Sequence, residues 1–219
     1  MSNFFSTDSP LWRALTKVAD LIWLNILFVI CCIPVFTVGA ALSAMYSVTI
    51  KMCVNEEGAI SQDFFKAFRE NFKQATILWG IMLGIGLFLI ADFLLVPFLG
   101  GIVYEIAFWI LCVIGILYIM VFSFLFPLQS KFENPIKRTL MNALLLSIRH
   151  LLPTTIVVSL LTAVPGLIVY FKPDYLIRFL PLVVLILFSG IAFLKSKLLT
   201  PIFRTYIRIQ EEQALEDES

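Results

Sequence analysis

Among the polar side chains within or beside the apolar stretches, Asn25, Thr37, Asp92 and Glu105 are the ones whose chemistry could serve a pathway. Ionisable and polar groups at membrane depth are costly, and they often serve ion or proton movement. These four therefore outline a candidate polar pathway. Asp92 and Glu105 flank the turn at Pro97–Gly101, near the outer ends of two apolar stretches, with Arg178 at a similar depth. A relay would want its carboxylates nearer the midplane, so a pair of interfacial acids facing Arg178 is the plainer reading. Lys195 and Lys197 close the last apolar stretch. Their stems are long enough to snorkel to the membrane face.

Other chemistries find no support. The only histidine is His150, and Cys31, Cys32, Cys53 and Cys112 show no zinc spacing. They read as inert thiols acting as small hydrophobes. No HExxH, paired intramembrane aspartates, GxSxG or glycine-rich phosphate loop occurs. A non-enzymatic protein is expected, with no catalytic residue, metal, cofactor or nucleic-acid partner.

The elements that hold these residues follow from charge. Leu21–Ile50, Ala75–Ala91, Ile106–Ser130, Leu151–Phe171 and Phe179–Leu194 carry no charged side chain, in a chain that is 60% hydrophobic and 14% charged. A hydrocarbon layer of about 30 Å takes about 20 apolar residues per helical crossing. The expected fold is all-α: a polytopic transmembrane helical bundle in contact with the lipid bilayer. Residues 1–210 form one transmembrane domain, and 211–219, with five acidic residues, a disordered tail. No cleavable signal is expected, since the first apolar run starts only near Val18.

Basic residues set the orientation. Lys51, Lys66, Arg69 and Lys73 lie in one segment, Lys131, Lys137, Arg138 and Arg149 in a second, and Lys195, Lys197, Arg204 and Arg208 in a third. Basic loops stay in the cytoplasm, so the C-terminus faces inward in a multi-pass plasma-membrane protein. Leu21–Ile50 would be about 45 Å long as one helix. Pro34 and Gly39 interrupt it. It is either one kinked helix, giving five crossings, or two short helices near 18–33 and 40–54. The second gives six helices as three hairpins with a cytoplasmic N-terminus, and Arg13 and Lys17 favour it.

Three amphipathic segments introduce those hairpins, after Ser9-Pro10, Ser61 and Asn134-Pro135. In the second, Phe64, Phe65, Phe68 and Phe72 line one side, with Lys66, Arg69, Glu70 and Lys73 opposite. Such a helix lies in the headgroup layer, or docks a cytosolic partner through Phe64, Phe65, Phe68, Arg69 and Phe72. Gly80 and Gly84 form a GxxxG, and Gly39, Ser43 and Ser47 a longer small-residue stripe. Both suit helix packing, within the chain or in a homo-oligomer. Pro165-Gly166 should kink the fourth run.

Two stretches carry a family resemblance. One runs from Pro10 through Asn25, Pro34, Thr37, Gly39 and Tyr46 to Glu56-Glu57-Gly58 and Asp63-Phe64-Phe65-Lys66-Ala67-Phe68-Arg69-Glu70-Asn71-Phe72. The other runs from Asn134-Pro135-Ile136-Lys137 to Asn142-Ala143-Leu144-Leu145-Leu146-Ser147-Ile148-Arg149-His150-Leu151. Together they resemble the YesL-like integral membrane proteins of Gram-positive bacteria. Members of that family are commonly encoded beside binding-protein-dependent sugar transporters and glycan-degrading enzymes. The resemblance implies an accessory role in carbohydrate (oligosaccharide) uptake, with permease subunits of a sugar ABC-type transporter as partners. The alternatives are a stand-alone secondary transporter or channel, and a membrane-bound regulator.

Overall fold

Proline has no amide hydrogen to donate and crowds the turn before it, so a helix entering residue 34 must end or bend. In the computed structural model, which describes residues 10–132, 134–149, 155–162 and 186–217, helix α1 (Pro10–Cys31) stops just short of it and helix α2 (Val38–Val54) begins just after. Thr37 Oγ1 closes the turn, within hydrogen-bonding reach of the carbonyls of Cys31 (2.5 Å) and Pro34 (2.6 Å). The Cys31 carbonyl is one that a helix end leaves without a partner, while the Pro34 carbonyl also accepts the Thr37 N–H (3.0 Å). The two helices fold back on each other. Near the start of α1, Lys17 Nζ donates to the Met52 carbonyl (3.1 Å) and to Asn55 Oδ1 (2.7 Å) at the end of α2.

Asn55 ends α2 in the left-handed region (φ 55°), a conformation its short polar side chain tolerates. The following turn is fixed by Asp63, which accepts from Lys51 Nζ (2.7 Å) and from the Gly58 N–H (2.9 Å). Both partners are partly solvated, so Asp63→Asn is expected to cost only about 0.5–1 kcal/mol, checked by thermal unfolding at low and high salt.

Helix α3 (Ile60–Leu95) then runs for 36 residues, about 54 Å. The amphipathic segment and the apolar run form one continuous helix, because Lys73-Gln74-Ala75 at their junction contains nothing that breaks one. Its aromatic stripe turns into the chain. Phe64 is fully buried, Phe68 and Phe72 are half-buried, and the rings follow one another at 6.1 and 5.5 Å between centroids.

A 3-10 turn at Val96–Phe98 leads into α4 (Gly101–Lys131). Gly101 takes φ +62°, which favours glycine. Tyr118 of α4 donates its hydroxyl to the Met82 carbonyl of α3 (3.0 Å), and it passes over Gly86, where an added Cβ would lie 2.7 Å from that hydroxyl. Helices α5 (Ile136–Arg149), α6 (155–162) and α7 (Phe188–Asp217) complete the described bundle. Helix α7 continues through most of the acidic segment that begins at Glu211. His150, Pro165-Gly166, Lys172 and Arg178 lie outside the described residues.

Helix α2 is the hub. It packs on α1, α3, α4 and α7, and Gly39, Ala40, Ala41, Ser43 and Ala44 keep it thin enough to be enclosed on all sides. The turn that leads into it is tied to α3, where Trp79 Nε1 donates to the Val35 carbonyl (2.8 Å). Trp79→Phe keeps a ring but loses that bond, and a loss of about 1 kcal/mol is expected in thermal unfolding.

Four helices are long and apolar enough to cross a membrane: Ala14–Cys31, Val35–Val54, Ile60–Phe98 and Gly101–Lys131. Their outer surfaces are apolar, with Phe88, Leu94, Ile102 and Trp109 each about two-thirds exposed or more. Such surfaces fit contact with lipid. Among the described residues the fold is helical, with no strand.

Candidate functional site

A bundle whose outside faces hydrocarbon has to satisfy its polar groups internally. One group of its buried polar side chains lies on the seam where α2, α4, α6 and α7 meet. At its centre is Lys195. The chain enters α7 with a lysine one turn and a half past Ser189, and α7 presses that face against α2. The side chain is only 3% exposed. Its amine donates to Thr162 Oγ1 of α6 (2.8 Å) and lies over the Tyr46 ring of α2, 5.3 Å from the centroid. Thr162 in turn meets Ser123 Oγ of α4 at 2.8 Å. The expectation that Lys195 snorkels is thus corrected. Tyr46 and the α6 hydroxyl hold the amine inside, while Lys197, two residues on, is exposed.

No carboxylate pairs with Lys195 among the described residues, where the ion pairs are Lys17–Glu57 and Lys51–Asp63. The depth follows from helix geometry. Tyr46 precedes Val54 by eight residues, and Ser123 precedes Lys131 by eight, each about 12 Å along its helix. The amine therefore sits well inside the basic end of the bundle. Just below it, the hydroxyls of Thr49 and Ser196 meet at 2.8 Å, both fully buried. Ser43 Oγ and Ser159 Oγ, one turn from Tyr46 and Thr162 along their own helices, are buried without a hydrogen-bond partner.

The residues singled out by sequence are dispersed. Asn25 is fully buried and accepts from the Ser189 N–H (2.8 Å), while Thr37 closes the α1–α2 turn. Asp92 is half-buried and Glu105 exposed, at the far end of the α3–α4 hairpin. These four make no hydrogen bond with one another. Of the aromatic segment, Phe65 and Arg69 remain on the surface and, with Ser61, Gln62, Lys66 and Glu70, line an open groove of about 550 Å³. The small residues divide sharply. Gly39 is pressed against Ala75 and Trp79, Ser43 is buried and Ser47 half-buried, whereas an added Cβ at Gly80 or Gly84 would meet nothing within 4 Å among the described residues.

Two further depressions lie at the basic end. A groove of about 530 Å³ between α4, α5 and α7 is lined by Asn134, Asn142, Arg149, Phe203 and Tyr206 among others, with the Arg149 guanidinium 5.7 Å from the Tyr206 ring centroid. A smaller one of about 140 Å³ lies between α2, α4 and α7, walled by Lys51, Glu56, Lys131, Thr200 and Arg204 over Ile50 and Phe203.

The family described as "Protein of unknown function, DUF624" matches residues 21–93. That stretch contains α1 from Leu21, all of α2 and most of α3, and so the Gly39 contact and the Asn25 and Tyr46 positions. No curated protein and no solved structure matches the chain.

Proposed function

We propose that this chain is a non-enzymatic, multi-pass component of a bacterial plasma membrane that assists carbohydrate uptake, docked on the permease subunits of a binding-protein-dependent transporter. The observation that carries the docking is the bare face of α3. Gly80 and Gly84 lie one turn apart on the surface, with nothing among the described residues within 4 Å of an added Cβ. A small-residue face lets a second helix approach closely, and within lipid that contact is worth making. The carbohydrate role rests on the resemblance to the YesL-like proteins of Gram-positive bacteria. On this reading the basic end of the bundle faces the cytoplasm with both termini, and six crossings form three hairpins.

The test is native purification from gently solubilised membranes. The parent protein is expected to bring a sugar-transporter permease with it, and Gly80→Leu with Gly84→Leu to lose it while keeping its own melting temperature. Recovery of no such subunit sinks the docking role, and recovery of a second copy alone reassigns the face to self-association.

The buried seam around Lys195 favours one rival, a stand-alone transporter, because the interior is not uniformly apolar. Solute flux in vesicles containing this chain alone is its signature.

A further inference from the structure

We propose that the groove between α4, α5 and α7 binds an anionic phospholipid of the surrounding bilayer, with its acyl chains on the apolar walls and its phosphate on Arg149. The position of the groove is the first argument. Helix α4 carries no charge from Ile106 to Ser130 and meets Lys131 at its end. Leu128 and Phe132 bracket that change, and both line the groove. It therefore opens at the level where a membrane-type helix leaves hydrocarbon for headgroups. A phospholipid passes from chain to phosphate at that same level.

The lining divides in the same way. Its floor is apolar: Phe203 is buried and sets its ring edge-on against Phe132, with 5.6 Å between centroids. One wall is α5, which buries Thr139, Ala143, Leu146 and Ser147 in the bundle. Met141, Leu145 and Ile148 of the same helix stay about half exposed. Large apolar side chains left uncovered along one helix mark a surface that meets lipid or a partner. Leu145 and Ile148 belong to the groove, whose volume of about 530 Å³ suits a small ligand or part of a lipid.

The polar part is basic. Helix α5 carries Lys137, Arg138 and Arg149 and no acidic residue, and none of the three forms an ion pair among the described residues. The Arg149 guanidinium lies 5.7 Å from the Tyr206 ring centroid. Cation–π attraction orients it there, and its in-plane N–H groups remain able to bridge two phosphate oxygens. Asn142, two turns earlier on α5, adds an amide to the same lining. No carboxylate lines the groove among the described residues, so the positive end of a zwitterionic headgroup finds no partner and an anionic headgroup is favoured. Dissolved phosphate would leave the apolar walls uncovered, which is why the occupant is a lipid.

The test places the full chain in nanodiscs of equal phosphatidylcholine and phosphatidylglycerol, releases it gently and counts the retained lipids by native mass spectrometry. The parent is expected to retain phosphatidylglycerol in preference to phosphatidylcholine. Arg149→Gln, at an exposed position, is expected to reduce that preference about tenfold, as loss of a charge-assisted hydrogen bond implies, with an unchanged melting temperature. Lys73→Gln removes the same charge from the exposed side of α3 and is expected to keep the preference, which separates a site from general surface attraction. Should Arg149→Gln not fold, Leu145→Asn with Ile148→Asn is expected to lose the retained lipid whatever its headgroup. Equal retention of the two lipids by the parent overturns the proposal. So does a parent-like preference in Arg149→Gln, or displacement of the lipid by inorganic phosphate at constant ionic strength.

Discussion

Gly39→Ala is expected to unfold at a lower temperature than the parent protein, with a loss of about 2–3 kcal/mol, the upper part of the range for overpacked interiors. The added Cβ would lie 2.3 Å from the Ala75 carbonyl oxygen, 3.0 Å from its carbon and 2.5 Å from Trp79 Cβ. Two of those three atoms are backbone, so no side chain can swing aside. The helices must part instead, and the Trp79–Val35 hydrogen bond lies on the same contact. Gly80→Ala and Gly84→Ala provide the comparison, since their Cβ atoms would meet open space. Alanine is the better helix former by about 1 kcal/mol, so both are expected to be neutral or slightly stabilised. The measurement is thermal unfolding in detergent followed by tryptophan fluorescence. If Gly39→Ala melts with the parent, the close approach of α2 to α3 is wrong.

That comparison marks where the sequence stops being informative. Gly39, Gly80 and Gly84 read alike because spacing identifies a helix face but not the neighbour that covers it. The glycine that does accommodate α4 is Gly86, two residues past Gly84 and so on another side of α3. The aromatic period of Phe64, Phe68 and Phe72 was legible, since burial selects it in any setting. Whether lipid, a partner or the chain itself covers the stripe depends on how α2 packs against α3, which no local pattern records. Pro34 is the opposite case: its missing donor acts locally, and the break between α1 and α2 follows from it. Uncharged runs likewise exposed the membrane-type helices directly, because length and apolarity are properties of one segment. Lys195 was misread for the same reason that Phe64 was only half read. A lysine at the edge of an apolar run has a stem that reaches water, and only Tyr46, 149 positions earlier, with Ser123 and Thr162 keeps it inside. The core site is an assembly of four helices, and its members look unremarkable one at a time.

Asn25→Leu is expected to be the most damaging single polar change in the bundle, costing about 2–3 kcal/mol, because it takes the side-chain acceptor from a buried donor. Asn25 Oδ1 accepts the Ser189 N–H across 164 positions of chain, and both residues are fully buried. Residues 186–187 form a wider π turn at the start of α7. Such a turn departs from the regular i to i−4 pattern. Ser189 Oγ returns the contact by donating to the Leu21 carbonyl (2.7 Å), so α1 and α7 are joined by two bonds one turn apart on α1. The two should differ in worth. Ser189→Ala removes a hydroxyl together with its own need for a partner, and a loss of about 1 kcal/mol is expected. Asn25→Leu removes the side-chain acceptor that the amide of Ser189 uses in the buried interior. Hydrogen exchange distinguishes this from a general loss of packing. The amides of 186–192 are expected to exchange faster in Asn25→Leu than in Ser189→Ala at equal distance below each melting temperature. Equal protection in both variants would show that Asn25 fills space in the core without holding the start of α7.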